Sequence, residues 1–142
     1  MKQRHFIRHP SSIPIDAQPI DSNDIDHTSM LDVSEGGLSF SSPTRLPAGI
    51  QLRIQIPSMD RSFCITGHVA WVEKEAKGYT IGVAFTDKDE AFLVRMVEQL
   101  CHIESYWQQK IKMGTKTTIE QAASEWIELF ASEFPKPLPR RF

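Results

Sequence analysis

A chain of 142 residues suits one domain with a core of its own. Charged and apolar fractions of 24% and 40% are ordinary for a folded domain, and a net charge of −2 argues against a general binder of nucleic-acid polymers or membrane surfaces.

In chain order, residues 1–12 read as an extended arm, charged at the start and turned away from helix by Pro10. Ile13, Ile15 and Ala17 alternate with Pro14 and Asp16 in a short strand of the edge type that tolerates proline. Residues 21–28 carry turn chemistry, and a strand resumes from Ser29 to Val33. It ends at a polar corner, Asp32-Val33-Ser34-Glu35-Gly36-Gly37, whose glycines permit positive φ and close backbone approach. Leu38 to Ser41 follow, then a break from Pro43 to Gly49.

Ile50, Leu52, Ile54 and Ile56 give the cleanest two-residue period in the chain. Phe63, Ile65, Val69 and Trp71 mark the next strand, which predicts Trp71 packing in the barrel and a bulge or a bend at Gly67. Glu73 to Gly78 reads as a turn, and Tyr79, Ile81, Val83 and Phe85 alternate again. Short strands with turn signals every ~8–12 residues predict a small antiparallel barrel. From Asp87 the period becomes helical: Asp87 is the expected N-cap, and Phe92, Leu93, Met96, Val97, Leu100, Ile103, Trp107 and Ile111 share a face up to Gly114. Thr117 and Glu120 have capping-box spacing ahead of a second helix, with Ile119, Ala123, Trp126, Ile127, Phe130 and Phe134 on one face and Pro135 at its end. That face must bury somewhere, against the rest of the chain first and against a partner or second copy as the alternative.

The fold class is therefore mainly β with α, a six-stranded antiparallel barrel followed by two C-terminal helices. The expected division is an arm over 1–12, the barrel and its following helix over 13–114, and a C-terminal helix and tail over 115–142. Cys64 and Cys101 sit in apolar-patterned segments without CxxC spacing, which predicts buried free thiols and no metal site. No apolar run reaches the ~20 residues of a membrane span. The polar start lacks a secretory leader's apolar stretch, so the cytoplasm is the expected location.

Charge is segregated at the start of the chain. Met1 to Ile15 hold Lys2, Arg4, His5, Arg8 and His9 and no acid, whereas Asp16 to Glu35 hold six acids and no Lys or Arg. Taken singly, Arg4 and Arg8 are solvated charge and the Asp32 corner is a turn. His5 and His9 have metal-like spacing only on a helix, which the arm is not. Cys101 and His102 point about 100° apart on a helix and lack an orienting third group, so no catalytic constellation emerges.

Taken together, these residues resemble a known family. Arg4-His5-Phe6-Ile7-Arg8 matches RxxxR, and Asp32 to Gly37 matches D/N-x-S-x-x-G. Gly67-His68-Val69-Ala70-Trp71 and Gly82-Val83-Ala84-Phe85 look like the GxVxW and GVxF strands of the same family, the PilZ domains, bacterial receptors for cyclic di-GMP. The resemblance covers about residues 3–100. It implies that Arg4 and Arg8 contact guanine and phosphate, that Asp32, Ser34 and Gly37 hold the guanine edge, and that Gln3, His5 and Gly36 lie beside them. Gln3 stands where many members carry arginine, which leaves the ligand stoichiometry open.

The chemistry suits such a ligand. Arginine pairs bidentately with guanine O6 and N7, binds phosphate and stacks on purines, and a carboxylate accepts from guanine N–H groups. The implied function is a non-enzymatic receptor or adaptor, without cofactor, that couples cyclic di-GMP to an unidentified protein effector through closure of the arm. The alternative is an interaction module of the same fold that binds no nucleotide. Single-stranded nucleic acid would need a basic, aromatic face that Arg53 and Arg61 do not make.

Overall fold

The computed structural model describes residues 8–57, 64–86 and 89–130. The described chain forms strands β1 (His9–Pro10), β2 (Pro14–Pro19), β3 (Asp26–Val33), β4 (Gly37–Ser42), β5 (Gln51–Gln55), β6 (Cys64–Glu75) and β7 (Gly78–Phe85), then helices α1 (Glu90–Lys112) and α2 (Ile119–Phe130). Every neighbouring pair is antiparallel, in the order β3-β2-β5-β6-β7-β4, and β4 pairs back onto β3 to close six strands into a barrel. β1 is an added outer strand, pairing His9 with Val33 and Pro10 with Asp32.

Alternation accounts for most of the wall. Ile15 and Ala17 on β2, Leu52 and Ile54 on β5, Ile65 on β6 and Ile81 and Val83 on β7 are buried, while Gln51, Gln55 and Glu73 are exposed. Two strand boundaries and the reading of Gly67 differ from those predicted. β3 starts at Asp26 because its polar residues find partners on neighbouring strands: Asp26 accepts from Ser42, Thr28 donates to the Ser41 carbonyl, and His27 Nδ1 lies 2.6 Å from Asp16 Oδ1. β6 runs on to Glu75, and its turn is confined to Ala76 and Lys77. Gly67 sits in regular register and is not the bulge. A Cβ there would lie 2.6 Å from the Ala84 carbonyl oxygen, so close packing explains the glycine.

Helix α1 lays Phe92, Leu93, Met96, Val97, Leu100 and Ile103 into the same core as the barrel. Asp89, rather than Asp87, caps it by accepting the Phe92 N–H at 3.1 Å; Asp87 lies outside the described residues. At its other end Thr115 N–H reaches the Lys110 carbonyl and Gly114 N–H the Ile111 carbonyl, a Schellman closure with Gly114 at φ 82°. The capping box of α2 falls one residue later than predicted. Thr118 Oγ1 accepts from Gln121 N–H and Gln121 Oε1 accepts from Thr118 N–H, both at 3.1 Å.

Ile119, Ala122, Ala123 and Trp126 are buried in that same helical layer, and Ile127 and Phe130 pack partly buried against it, so the described part of the apolar face of α2 packs within the chain. Trp126 stacks on His102 of α1 at 5.9 Å, and Trp107 Nε1 donates to the Thr117 carbonyl. Phe134 and Pro135 lie outside the described residues. Cys64 is buried, Cys101 is partly exposed, and both are free thiols. Burial pushes each thiol above its ordinary range, most weight falling on desolvation.

Candidate functional site

Two adjacent rungs cross β3, β4, β7 and β6. In one, Val33, Leu38, Val83 and Val69 face the barrel interior and are all buried. In the other, Asp32, Ser39, Gly82 and Trp71 align across the same four strands. Simple alternation from Met30 and Val69 would turn Asp32 and Trp71 inward. One extra residue in each strand reverses this: the register shifts between Met30 and Asp32 on β3 and between Val69 and Trp71 on β6.

Leu31, the extra residue on β3, is 45% exposed, and Ala70, its counterpart on β6, is exposed as well. Val33 and Val72 then take the inward positions. The prediction that Trp71 packs in the barrel is corrected by this bulge. Its indole lies outside, flat against Gly82, where a Cβ would come within 2.0 Å of Trp71 Cε2.

This outward rung receives Arg8. Strand β1 pairs Pro10 with Asp32 and His9 with Val33, which brings the preceding Arg8 to the outward rung. The Arg8 guanidinium donates from Nη2 to Asp32 Oδ1 at 2.9 Å, and its Cζ stands 5.9 Å from the centroid of the Trp71 ring. Ser39, only 3% exposed, donates its hydroxyl to the same Asp32 oxygen at 2.8 Å. The Arg8 and Asp32 side chains stay 28% and 27% exposed, so both are reachable from solvent. The result is a small, open platform with a cation, a carboxylate, a hydroxyl and an aromatic face.

The corner beyond Asp32 is a tight hairpin. Ser34 N–H donates to the Gly37 carbonyl at 2.8 Å, and Ser34 Oγ accepts from Gly36 N–H at 3.2 Å. The Gly36 carbonyl accepts from Phe85 N–H, which ties the corner to β7. Neither Gly36 nor Gly37 has positive φ. The need for glycine at 37 is steric, since a Cβ there would lie 2.1 Å from the Val83 carbonyl oxygen. The structure thus brings Arg8 and Asp32 together and places Ser34, Gly36 and Gly37 in the adjoining hairpin. Gln3, Arg4 and His5 lie outside the described residues.

One residue of this platform, Ser39, was not singled out from sequence, and Trp71 was expected in the barrel and not on its outer face. Ser39 reads as an ordinary polar strand residue. Trp71 reads as core because Ile65, Val69 and Trp71 keep an even spacing. The signal that locates both bulges is the three-residue step between inward apolar residues, Met30 to Val33 and Val69 to Val72.

The described chain is thus a closed six-stranded antiparallel barrel with Arg8 folded onto an outward rung. The family model of the PilZ domain matches residues 2–101, and the chain belongs to that family. Among solved structures, the PilZ domain of Escherichia coli YcgR, determined with c-di-GMP, is similar with a TM-score of 0.56 at 14% identity, over 81% of this chain and 100% of that one. The PilZ domain of CeSA from a cellulose-synthesizing bacterium gives a TM-score of 0.52 at 22% identity, over 66% and 97% of the two chains. The Bacillus subtilis inhibitor of motility, MotI/DgrA, gives 0.52 at 14% identity over 70% of this chain, which spans about half of that protein, 51%. At these identities the likeness is one of fold. No curated protein matches the chain. No helix among the described residues is long and apolar enough to cross a membrane.

Proposed function

We propose that this protein is a cyclic di-GMP receptor whose site is the outward rung of the barrel together with the RxxxR arginines Arg4 and Arg8. The observation that carries the proposal is the meeting of Arg8 with Asp32 over Trp71, in a chain of the PilZ family. A PilZ relative determined with c-di-GMP adds support, since it shares the fold over its whole length.

The ligand's two phosphates need cationic donors, and its guanines offer O6 and N7 to a guanidinium and N–H donors to a carboxylate. Arg8 and Asp32 supply those two chemistries side by side. Arg4 adds a second guanidinium one RxxxR spacing earlier. Ser34 and Gly37 shape the adjoining corner with Gly36 between them, and Gln3 and His5, next to Arg4 in sequence, are further candidates for the ligand. The flat face of Trp71 bounds the platform opposite Asp32.

Binding requires Arg8 to change partners. A partly exposed ion pair contributes roughly 0.2–1 kcal/mol, and an exposed cation–π contact roughly 0.5–1 kcal/mol. The Arg8–Asp32 contact is a single bond through one nitrogen. A phosphate or guanine edge can take two charge-assisted bonds of roughly 1.5–3 kcal/mol each from the guanidinium, which offsets the loss of the Asp32 contact. The released carboxylate is then free to accept from guanine N–H groups. Arm closure on the ligand rearranges the surface around β1 and β3, and an effector protein reads that rearrangement. The receptor performs no chemistry on the ligand.

Isothermal titration of the intact protein with cyclic di-GMP tests the reading. Saturable binding that is weakened about 10- to 100-fold in Arg8→Ala supports it. No heat of binding from intact, folded protein overturns it.

A further inference from the structure

The entry of the arm into the barrel has an irregularity that the family motifs do not explain. Pro10 pairs with Asp32 and Pro14 with Ser29, so four residues on the arm side span three on β3. The Ser11 N–H goes to the Leu31 carbonyl, and the Ile13 carbonyl accepts from Met30 N–H. The intervening Ser12 N–H turns off the sheet and needs another acceptor.

Glu104 of α1 supplies it. Its Oε1 accepts the Ser12 N–H at 2.8 Å, and the Ser12 hydroxyl lies 3.2 and 3.3 Å from its two oxygens. His9 and Pro10 line one groove with Cys101, Glu104, Ser105 and Gln108, so this face of α1 runs along the base of the arm. The helix beneath is held rigidly, because Leu100 and Ile103 are fully buried in the barrel core. Ser12 and Arg8 are four residues apart, with the β1 pairing between them. The family match ends at residue 101, so Glu104 belongs to the part of the helix outside it.

We propose that Glu104 is a positioning residue for the cyclic di-GMP site. It pins the kink at Ser12, sets the path of β1, and thereby delivers Arg8 to Asp32 and Trp71. The inference rests on the functional reading above, and it ties the ligand site to the helical layer that follows the barrel.

The test compares Glu104→Ala with Glu104→Gln, which keeps an acceptor for the Ser12 N–H. Cyclic di-GMP affinity should fall about tenfold in Glu104→Ala and be largely restored in Glu104→Gln, the scale of loss expected for a coupling of this kind. In an Arg8→Ala background, Glu104→Ala should cost nothing further, because its effect passes through Arg8. Hydrogen exchange without ligand reads the same device independently: Ser11 and Ser12 amides should exchange faster in Glu104→Ala, with buried α1 amides unchanged. Unaltered affinity in Glu104→Ala, a loss that persists in full without Arg8, or unaltered exchange at Ser11 and Ser12 would overturn the proposal. Failure of the parent protein to bind cyclic di-GMP would instead overturn the receptor reading, and the exchange measurement would still decide whether Glu104 pins the arm.

Discussion

Arg8 and Ser39 share a single acceptor, Oδ1 of Asp32, at 2.9 and 2.8 Å. One donor comes from the arm and the other from within the barrel wall, and neither bond uses Oδ2. Ser39 is buried beside the carboxylate, so its hydroxyl fixes the carboxylate's orientation whichever group Arg8 contacts.

Ser39→Ala removes that orienting donor and leaves the charge of Asp32 intact. Affinity for cyclic di-GMP should fall about fivefold, near the ~1 kcal/mol of a neutral hydrogen bond. Titration calorimetry checks this. An unchanged affinity would mean that Asp32 is oriented by something other than Ser39.

Gly82→Ala tests the packing that holds the aromatic face. The new methyl would meet the Trp71 indole, whose Cε2 lies 2.0 Å from an ideal Cβ at that position. The ring must lift away, which should cost about 1–3 kcal/mol of stability and shift Trp71 fluorescence. Arg8 loses its stacking surface with it, so ligand affinity should fall as well. Parent-like fluorescence and stability would contradict this placement of Trp71.

The barrel was legible because most strands obey simple alternation. Leu52 and Ile54 against Gln51 and Gln55 are the clearest case. The helices were legible from their apolar period, yet both caps were misplaced by one or two residues. Asp87 and Asp89, like Thr117 and Thr118, are chemically equivalent candidates, and only hydrogen-bond geometry separates them. The orientation of Trp71 was not legible from even spacing, since a bulge reverses alternation without any change in composition. The corner glycines were recognised for a partly wrong reason: their φ angles are negative, and Gly37 is required by the Val83 carbonyl across the strand. The Ser12–Glu104 contact spans 92 residues and leaves no local trace in the sequence.

Acid sensitivity should concentrate where α1 meets α2. Glu125 accepts from the Tyr106 hydroxyl and pairs with Lys110 at 2.6 Å. The bonds to Lys110 and then Tyr106 hold the Glu125 carboxyl below its ordinary value, and the bond to Glu125 pushes the Tyr106 hydroxyl above its own. A depressed carboxylate contributes stability above the unfolded-state value of about 4.5, and that contribution is lost as pH falls through the folded-state value. The raised phenol behaves oppositely, contributing below the ordinary tyrosine range and losing its contribution as pH rises through its folded value. Thermal melts across pH should therefore show a smaller acid loss in Glu125→Gln than in the parent protein. Identical acid profiles would remove this triad from the account. All three groups are only partly buried and reachable from solvent, so the difference should be small and should shrink with salt.

The most direct test of the central claim is the affinity of cyclic di-GMP for the intact protein, set beside Arg8→Ala and Asp32→Ala. The account predicts saturable binding by the parent protein. Each variant should be weakened by about 10- to 100-fold, the equivalent of one charge-assisted contact of ~1.5–3 kcal/mol, while remaining folded. Undiminished binding in both folded variants would contradict the assignment of the outward rung as the site.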